Sequence, residues 1–245
     1  MSDMIAERIV RAVLDKAPMG NFVQEITGFD AAYDIQEAVV AQLAPRFGGV
    51  GGYKIAWNAP AAFTPAVGHV FSAHIRQSGA HIPAEEMAQL VVEPEILAVM
   101  GEDVSEGGQT AQSMAPRIAR YHAGFEIMDR RNTADPALSH PPGVVANNVF
   151  NCGLVSGDSL AELPETMETV LSLDGEVLFR GQDAAPQAPA EAVAFIANHL
   201  AARGRGLKAG DVILCGTHYP PFAVQAGATL EVSMGALGRA AFSFG

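Results

Sequence analysis

Two carboxylates separated by a single proline interrupt an aliphatic run, VVEPEILAVMG, from Val91 to Gly101. Read as a strand, the run alternates its side chains, so Glu93, Glu95, Leu97 and Val99 share one face and Val92, Ile96 and Ala98 the other. Like charges set side by side repel, and a carboxylate drawn out of water is costly unless something neutralises it. A divalent cation does so: hard ions such as Mg2+ take oxygen ligands and keep room for water and substrate. The same residues also fit a helix start, with Pro94 at the first helical position and Glu95 near the positive end of the dipole. A third acid, Glu126, stands in another apolar string, HAGFEIMDRR, alternating with Gly124 and His122, so it too can point inward from a strand. Three inward acids would make a hard-metal site with open positions. Upstream, GGYKIAW places Lys54 alone in an apolar stretch. An anionic substrate group beside the metal would be its partner, unless its head simply reaches water.

The chain around these groups bounds what can hold them. It has 245 residues, 49% hydrophobic and 17% charged, enough for one sizeable core. Its 15 Lys+Arg against 27 Asp+Glu give a net charge of −12 with no basic run, which argues against nucleic acid or an anionic membrane as partner. Cys152 and Cys215 lie far apart without companions at metal or redox spacing, and read as free thiols of a reducing compartment. The opening MSDMIAERIVRAVLDKA reads as an amphipathic helix and not a signal peptide, and no apolar run approaches the roughly 20 residues of a membrane span. A cytoplasmic protein is expected.

Residues 1–47 read as a helical N-terminal segment. One stripe runs through Ile5, Ile9 and Val13, a break follows at Gly20 and Gly28, and a second helix is expected from Asp30 as N-cap through Ile35, Val39 and Leu43 to Pro45. From Gly48 the texture changes to short apolar strings between Gly and Pro turns, such as METVLSLDGEVLFRG, DVILCG, ATLEVSM and AAFSF, which reads as strands. Helical insertions are expected at Thr110 to Arg120 and at Pro189 to Arg203, the latter with proline at its start and Gly204 at its stop. The fold class is α+β, with residues 48–245 as one β-rich catalytic unit.

In order and spacing, GGYKIAW, VVEPEILAVMG, FEIMDRR, VANNVFNCGLVSG, FIANHLAARGRGLKAGDVILCGT and AGATLEVSMGALGRAAFSF together resemble the fumarylacetoacetate hydrolase superfamily. Within it they are most similar to the branch of 2-keto-4-pentenoate hydratases and 4-oxalocrotonate decarboxylases, and the resemblance runs from the helix at 31–36 to the C-terminus. It implies a mixed β-roll with outer helices, assembled as a homo-oligomer. It also implies Mg2+ or Mn2+ on Glu93, Glu95 and Glu126, with Lys54 as a catalytic and substrate-binding residue. Asn148 and the turn at Gly216 and Thr217 would help to hold the substrate. The implied reaction acts on a 2-oxo acid or its dienol through a metal-stabilised enolate, as a hydratase or decarboxylase of aromatic meta-cleavage catabolism. Acylpyruvate-type C–C hydrolysis shares that enolate, so the metal site alone does not choose.

The chain departs from this pattern in places. Ala56, Trp57 and Asn58 follow the lysine where small hydroxyl residues are usual, and GHVFSAHI has Ser72, Ala73 and His74 where relatives carry an acid. Asn147 replaces an aspartate, and Phe150 a small residue. Such changes remove proton carriers and enlarge apolar walls. They leave open a bulkier substrate, another reaction on the same enolate, or a catalytically weakened homologue that partners a sister enzyme. His69, His74 and His122 have the ordinary pKa for acid–base work, and period-2 counting makes His122 the best catalytic candidate among them; each is also readable as a core-satisfied or surface imidazole. Asp129 and Arg130 read as a pair orienting the ligands or as a surface ion pair.

Overall fold

The computed structural model describes residues 2–58 and 64–245. Its helices are α1 (Ser2–Leu14), α2 (Phe29–Leu43), α3 (Ala111–Met114), α4 (Asp135–Leu138), α5 (Pro141–Ala146) and α6 (Pro189–Ala202). The strands are β1 (Val50–Ala56), β2 (Ala66–Phe71), β3 (Ile75–Gln77), β4 (Ala80–Ile82), β5 (Leu90–Met100), β6 (Ile118–Asp129), β7 (Asn151–Leu160), β8 (Glu168–Leu173), β9 (Glu176–Gln182), β10 (Val212–Thr217), β11 (Phe222–Ala223), β12 (Ala228–Met234) and β13 (Arg239–Phe244). No helix among the described residues is long and apolar enough to cross a membrane.

The helical N-terminus and the helix from Pro189 form as expected, while two local expectations need correction. The cap of α2 is Gly28, with no side-chain hydrogen bond; Asp30 lies inside the first turn, where its charge faces the positive end of the helix. The insertion expected over Thr110 to Arg120 is only a four-residue helix followed by a 3-10 turn, and Ile118 already belongs to β6. Pro116 has no N–H to give and its ring crowds the preceding turn, so the α-helix stops at Met114.

One sheet runs in the order β2-β1-β10-β5-β6-β7-β3, with β11 added beside β5, and a second runs β4-β13-β12-β8-β9. The β1/β10 and β3/β7 pairs are parallel; β1/β2, β10/β5, β5/β6 and β6/β7 are antiparallel. The two edges of the first sheet, β2 and β3, are joined by only Ser72 to His74. Four extended residue steps span at most ~14 Å, so the sheet cannot lie flat and must roll until its edges approach. The two faces accordingly pack into different clusters. Val70, Leu97, Leu154 and Leu214 meet inside the roll, whereas Val92, Ile96 and Ala98 join the main core outside it. The fold is the mixed α+β roll expected.

Helix α2 is tied to the roll by polar side chains. Buried Gln36 donates to the carbonyls of Val67 (3.0 Å) and Val145 (2.8 Å), and the Tyr33 hydroxyl accepts from the Val67 N–H at 3.0 Å. The second sheet packs on the first through Phe242, whose ring meets Phe125 of β6 edge-on at 5.2 Å. Phe125 is fully buried. Phe125→Ala should therefore lower stability by about 3–5 kcal/mol in urea unfolding; an unchanged midpoint would show that the two sheets are not held there.

Candidate metal centre

The antiparallel register of β5 and β6 sets Glu93 opposite Glu126 and Glu95 opposite Gly124. Two-residue alternation puts all three acids on the inner face of the roll, and one carboxylate oxygen from each lies within 4.8 Å of the others. Lys54 comes from β1, level with Gly68 on β2 and Leu214 on β10. A Cβ at Gly68 would sit 3.0 Å from the Lys54 Cγ, so glycine leaves room for the lysine stem. Its Nζ donates to Glu126 Oε2 at 2.5 Å and stands 4.0 Å from Glu93 Oε2.

Two of the acids are further oriented: Glu95 through one oxygen, and Glu126 through both, since Lys54 takes one and Asn151 the other. The pairing of β10 with β5 shifts between Leu214 and Thr217, and Gly216 in that irregularity has φ +112°, a region glycine enters without a Cβ penalty. The shift turns the Gly216 N–H onto Glu95 Oε2 at 2.7 Å. Asn151, at the start of β7, donates from Nδ2 to Glu126 Oε1 at 2.9 Å. Such outer contacts orient metal ligands.

Charge is the unbalanced quantity. Lys54 is 2% exposed, Glu95 1% and Glu126 0%, and the Glu93 side chain is 12% exposed. Three carboxylates and one ammonium leave two negative charges, which a divalent cation would neutralise. Oxygen-only donors and this charge suit a hard divalent ion such as Mg2+ or Mn2+. Without an ion the acids hold protons more readily: burial, with Glu126 beside it, pushes Glu93 up to about 8 against the pull of Lys54. Burial and the two neighbouring acids also hold Glu95 well above the usual carboxylate range. Burial pulls the Lys54 ammonium down, but the three acids outweigh it and the net shift is upward.

The cluster floors a cavity of about 460 Å³ lined by Lys54, Glu93, Glu95, Trp57, Asn58, Arg130 and Thr217, with Leu138, Val144, Val149, Phe150 and Pro221 as apolar walls. Lys54, the three acids and Thr217 are thus brought together. The Thr217 hydroxyl donates to the Tyr219 carbonyl. Asn148 is placed elsewhere: its amide accepts from the His69 N–H at 2.7 Å and donates to the His69 carbonyl at 2.8 Å, pinning β2, and it lines a different cavity. His122 also stands apart, opposite Leu97 and four residues along β6 from Glu126, with Nδ1 against the Gly157 carbonyl at 2.9 Å. Ser72 is exposed and outside the cavity.

Asp129 and Arg130 do not pair with each other. Asp129 takes the backbone N–H groups of Ala88, Gln89 and Arg131, and Arg130 turns to the cavity beside Glu93. The acid-orienting role of Asn151 went unread in the sequence. Nothing in VANNVFN separates it from Asn147 and Asn148 until the strand register is known.

Comparison with known proteins places these features in a wider group. The family described as fumarylacetoacetate (FAA) hydrolase C-terminal matches residues 53–244. A 2-keto-4-pentenoate hydratase of Burkholderia vietnamiensis is 30% identical, covering 74% of this chain and 70% of its own length. The TodF product hydratase of Pseudomonas putida is 26% identical over 99% of this chain and 93% of its own. A solved 4-oxalocrotonate decarboxylase from Pseudomonas putida G7, complexed with calcium and acetate, superposes with a TM-score of 0.89 at 24% identity, covering 99% of this chain and 96% of that one.

Two measurements follow from the charge balance. A carboxyl whose folded pKa is raised binds more protons folded than unfolded, so the stability it contributes is present below its unfolded value near 4.5 and is lost as pH rises through about 8. Metal-free protein should melt progressively lower across that window, and added Mg2+ should raise the melting temperature more at pH 8 than at pH 6, with protons released on binding. A metal-induced shift independent of pH would contradict the buried-acid account. Asn151→Ala should weaken Mg2+ binding by about 10- to 100-fold in calorimetry while leaving the circular dichroism spectrum native.

Proposed function

The chain belongs to the fumarylacetoacetate hydrolase C-terminal family, and from that premise we propose that it is a divalent-metal-dependent lyase acting on a small 2-oxo acid or its 2-hydroxydienoate form. The observation that carries this reading is the buried triad Glu93, Glu95 and Glu126 left with two uncompensated negative charges beside Lys54 at the base of a cavity. A bound Mg2+ or Mn2+ would supply positive charge against which negative charge developing on a substrate keto oxygen is stabilised, worth several kcal/mol.

The protein's own groups do the remaining work. Glu93, Glu95 and Glu126 would hold the ion, with Gly216 and Asn151 fixing the orientation of two of them. Lys54 lines the same cavity with its ammonium on Glu126, and from there it would pair with the substrate carboxylate. Trp57, Leu138, Val144 and Phe150 exclude water from the reacting face. Hydration of a 2-hydroxy-2,4-dienoate is the reaction supported by the hydratases among the relatives. One observation favours a second reading, decarboxylation of a dicarboxylate: Arg130 is a further cation in the lining, placed to receive a second carboxylate. Acylpyruvate hydrolysis would yield two acids and is told apart by its products.

Proton NMR of the Mg2+-loaded protein with 2-hydroxypenta-2,4-dienoate, 4-oxalocrotonate and an acylpyruvate, each repeated with EDTA, should show metal-dependent turnover of one of the first two. Turnover that survives excess chelator would sink the metal mechanism. Glu95→Gln and Glu126→Gln should each abolish both activity and Mg2+ binding with the fold retained. Arg130→Gln should raise KM for the dicarboxylate by about tenfold or more and leave that for the monocarboxylate within error; equal effects on both would remove the argument for a second carboxylate.

A further inference from the structure

A second cavity lies on the far side of Phe150, which is the residue it shares with the acid cavity. It has a volume of about 320 Å³, within the range of roughly 300–1,000 Å³ typical of small-ligand sites. Much of its wall is apolar, with Val13 and Leu14 from α1, Val39 and Leu43 from α2, and Phe47 and Phe71. The reaction proposed above does not use it.

Its polar groups are unevenly satisfied. Arg131 is 4% exposed, yet its partners are neutral: Nε donates to the Ala17 carbonyl at 3.0 Å, Nη2 donates to Asn147 Oδ1 at 2.7 Å, and the guanidinium lies over the Phe150 ring at 5.2 Å. No ion pair engages it among the described residues. The acids that share the lining are already committed. Asp129 accepts from the N–H groups of Ala88, Gln89 and Arg131, and Glu86 is paired with Arg76 at 2.6 Å. Lys16 adds a second cation, donating to the Glu85 carbonyl. His74, its ring tilted against that of Phe47 with centroids 4.6 Å apart, has a buried Nδ1 with no hydrogen-bond partner. The Asp129 carboxylate offsets part of the burial cost of the guanidinium without bonding to it, and the side chain that does bond Nη2 is a neutral asparagine.

We propose that this cavity is a binding site for a small aliphatic monocarboxylate, with the carboxylate on Arg131 and the chain between α1 and α2. The ligand class follows from the two halves of the lining: a buried guanidinium with no close ion pair, and aliphatic side chains with no polar demand. Asn151 also lines this cavity, so the ligand would sit against the residue that holds Glu126.

Sodium hexanoate is the probe, titrated calorimetrically into EDTA-treated full-length protein, with 1-hexanol as the uncharged control. The expected result is saturable one-to-one binding of hexanoate and at least tenfold weaker binding of hexanol. Asn147→Asp places a carboxylate on the guanidinium and should weaken hexanoate at least tenfold, whereas Glu95→Gln in the acid cavity should leave it unchanged. NMR contacts from the hexanoate chain to the Val39 and Leu43 methyls locate the site whether or not the Asn147 variant folds. Absence of saturable binding, equal affinity in Asn147→Asp, loss in Glu95→Gln, or contacts to Val144 instead would each overturn the proposal. Because the titration needs neither metal nor turnover, its failure is separate from failure of the lyase reading.

Discussion

Three carboxylates are gathered on the inner face of a rolled sheet, where water is scarce, and one ammonium is set against them. Coulomb repulsion in such surroundings is far stronger than in bulk water, so the arrangement persists only if something answers the remaining charge. Lys54 answers part of it through Glu126 and Glu93. Protons or a divalent ion answer the rest, and they compete for the same oxygens. Most other features of the site serve to hold this conflict in one geometry: Gly68 admits the lysine, Gly216 turns an N–H onto Glu95, and Asn151 fixes Glu126.

That geometry is a property of the roll and not of any single strand. The β5/β6 register sets the acids opposite one another, β10 contributes a break in pairing, and β1 supplies the lysine from two strands away. Closing the sheet through Ser72 to His74 draws β2 and β7 toward each other around the Val70, Leu97, Leu154 and Leu214 cluster. The inner leucines exclude water at one end and leave the acids at the other.

The wall between the two cavities is itself under strain. Asn148, Val149 and Phe150 have φ of 56°, 50° and 59°, left-handed values that for a β-branched valine are a genuine outlier. Each such residue costs of the order of 1–3 kcal/mol and persists only when its surroundings over-determine it. Here they do. Asn148 is locked to both backbone groups of His69, and Arg131 lies over the Phe150 ring. The strained turn presents Phe150 to both cavities, and no sequence rule would place three consecutive non-glycine residues in that conformation.

What could be read from the sequence was local periodicity and residue chemistry. Alternation in VVEPEILAVMG and HAGFEIMDRR allowed the acids common faces, a lone lysine in GGYKIAW raised a cation in need of a partner, and the order of the motifs carried the fold class. Those signals survive in a linear string because a strand's period is set by its own backbone. Where the string failed, the deciding contact was long-range. Asn148, expected at the substrate, is locked onto the His69 backbone, while Asn151, at the start of β7 beside β6, reaches Glu126. His122 shares their face but lies too far along β6, and Arg130 turns to the cavity while Asp129 is taken by backbone amides. Strand register, the bulge at Gly216 and the space left for charge are set by how distant segments pack, so only the tertiary structure decided them.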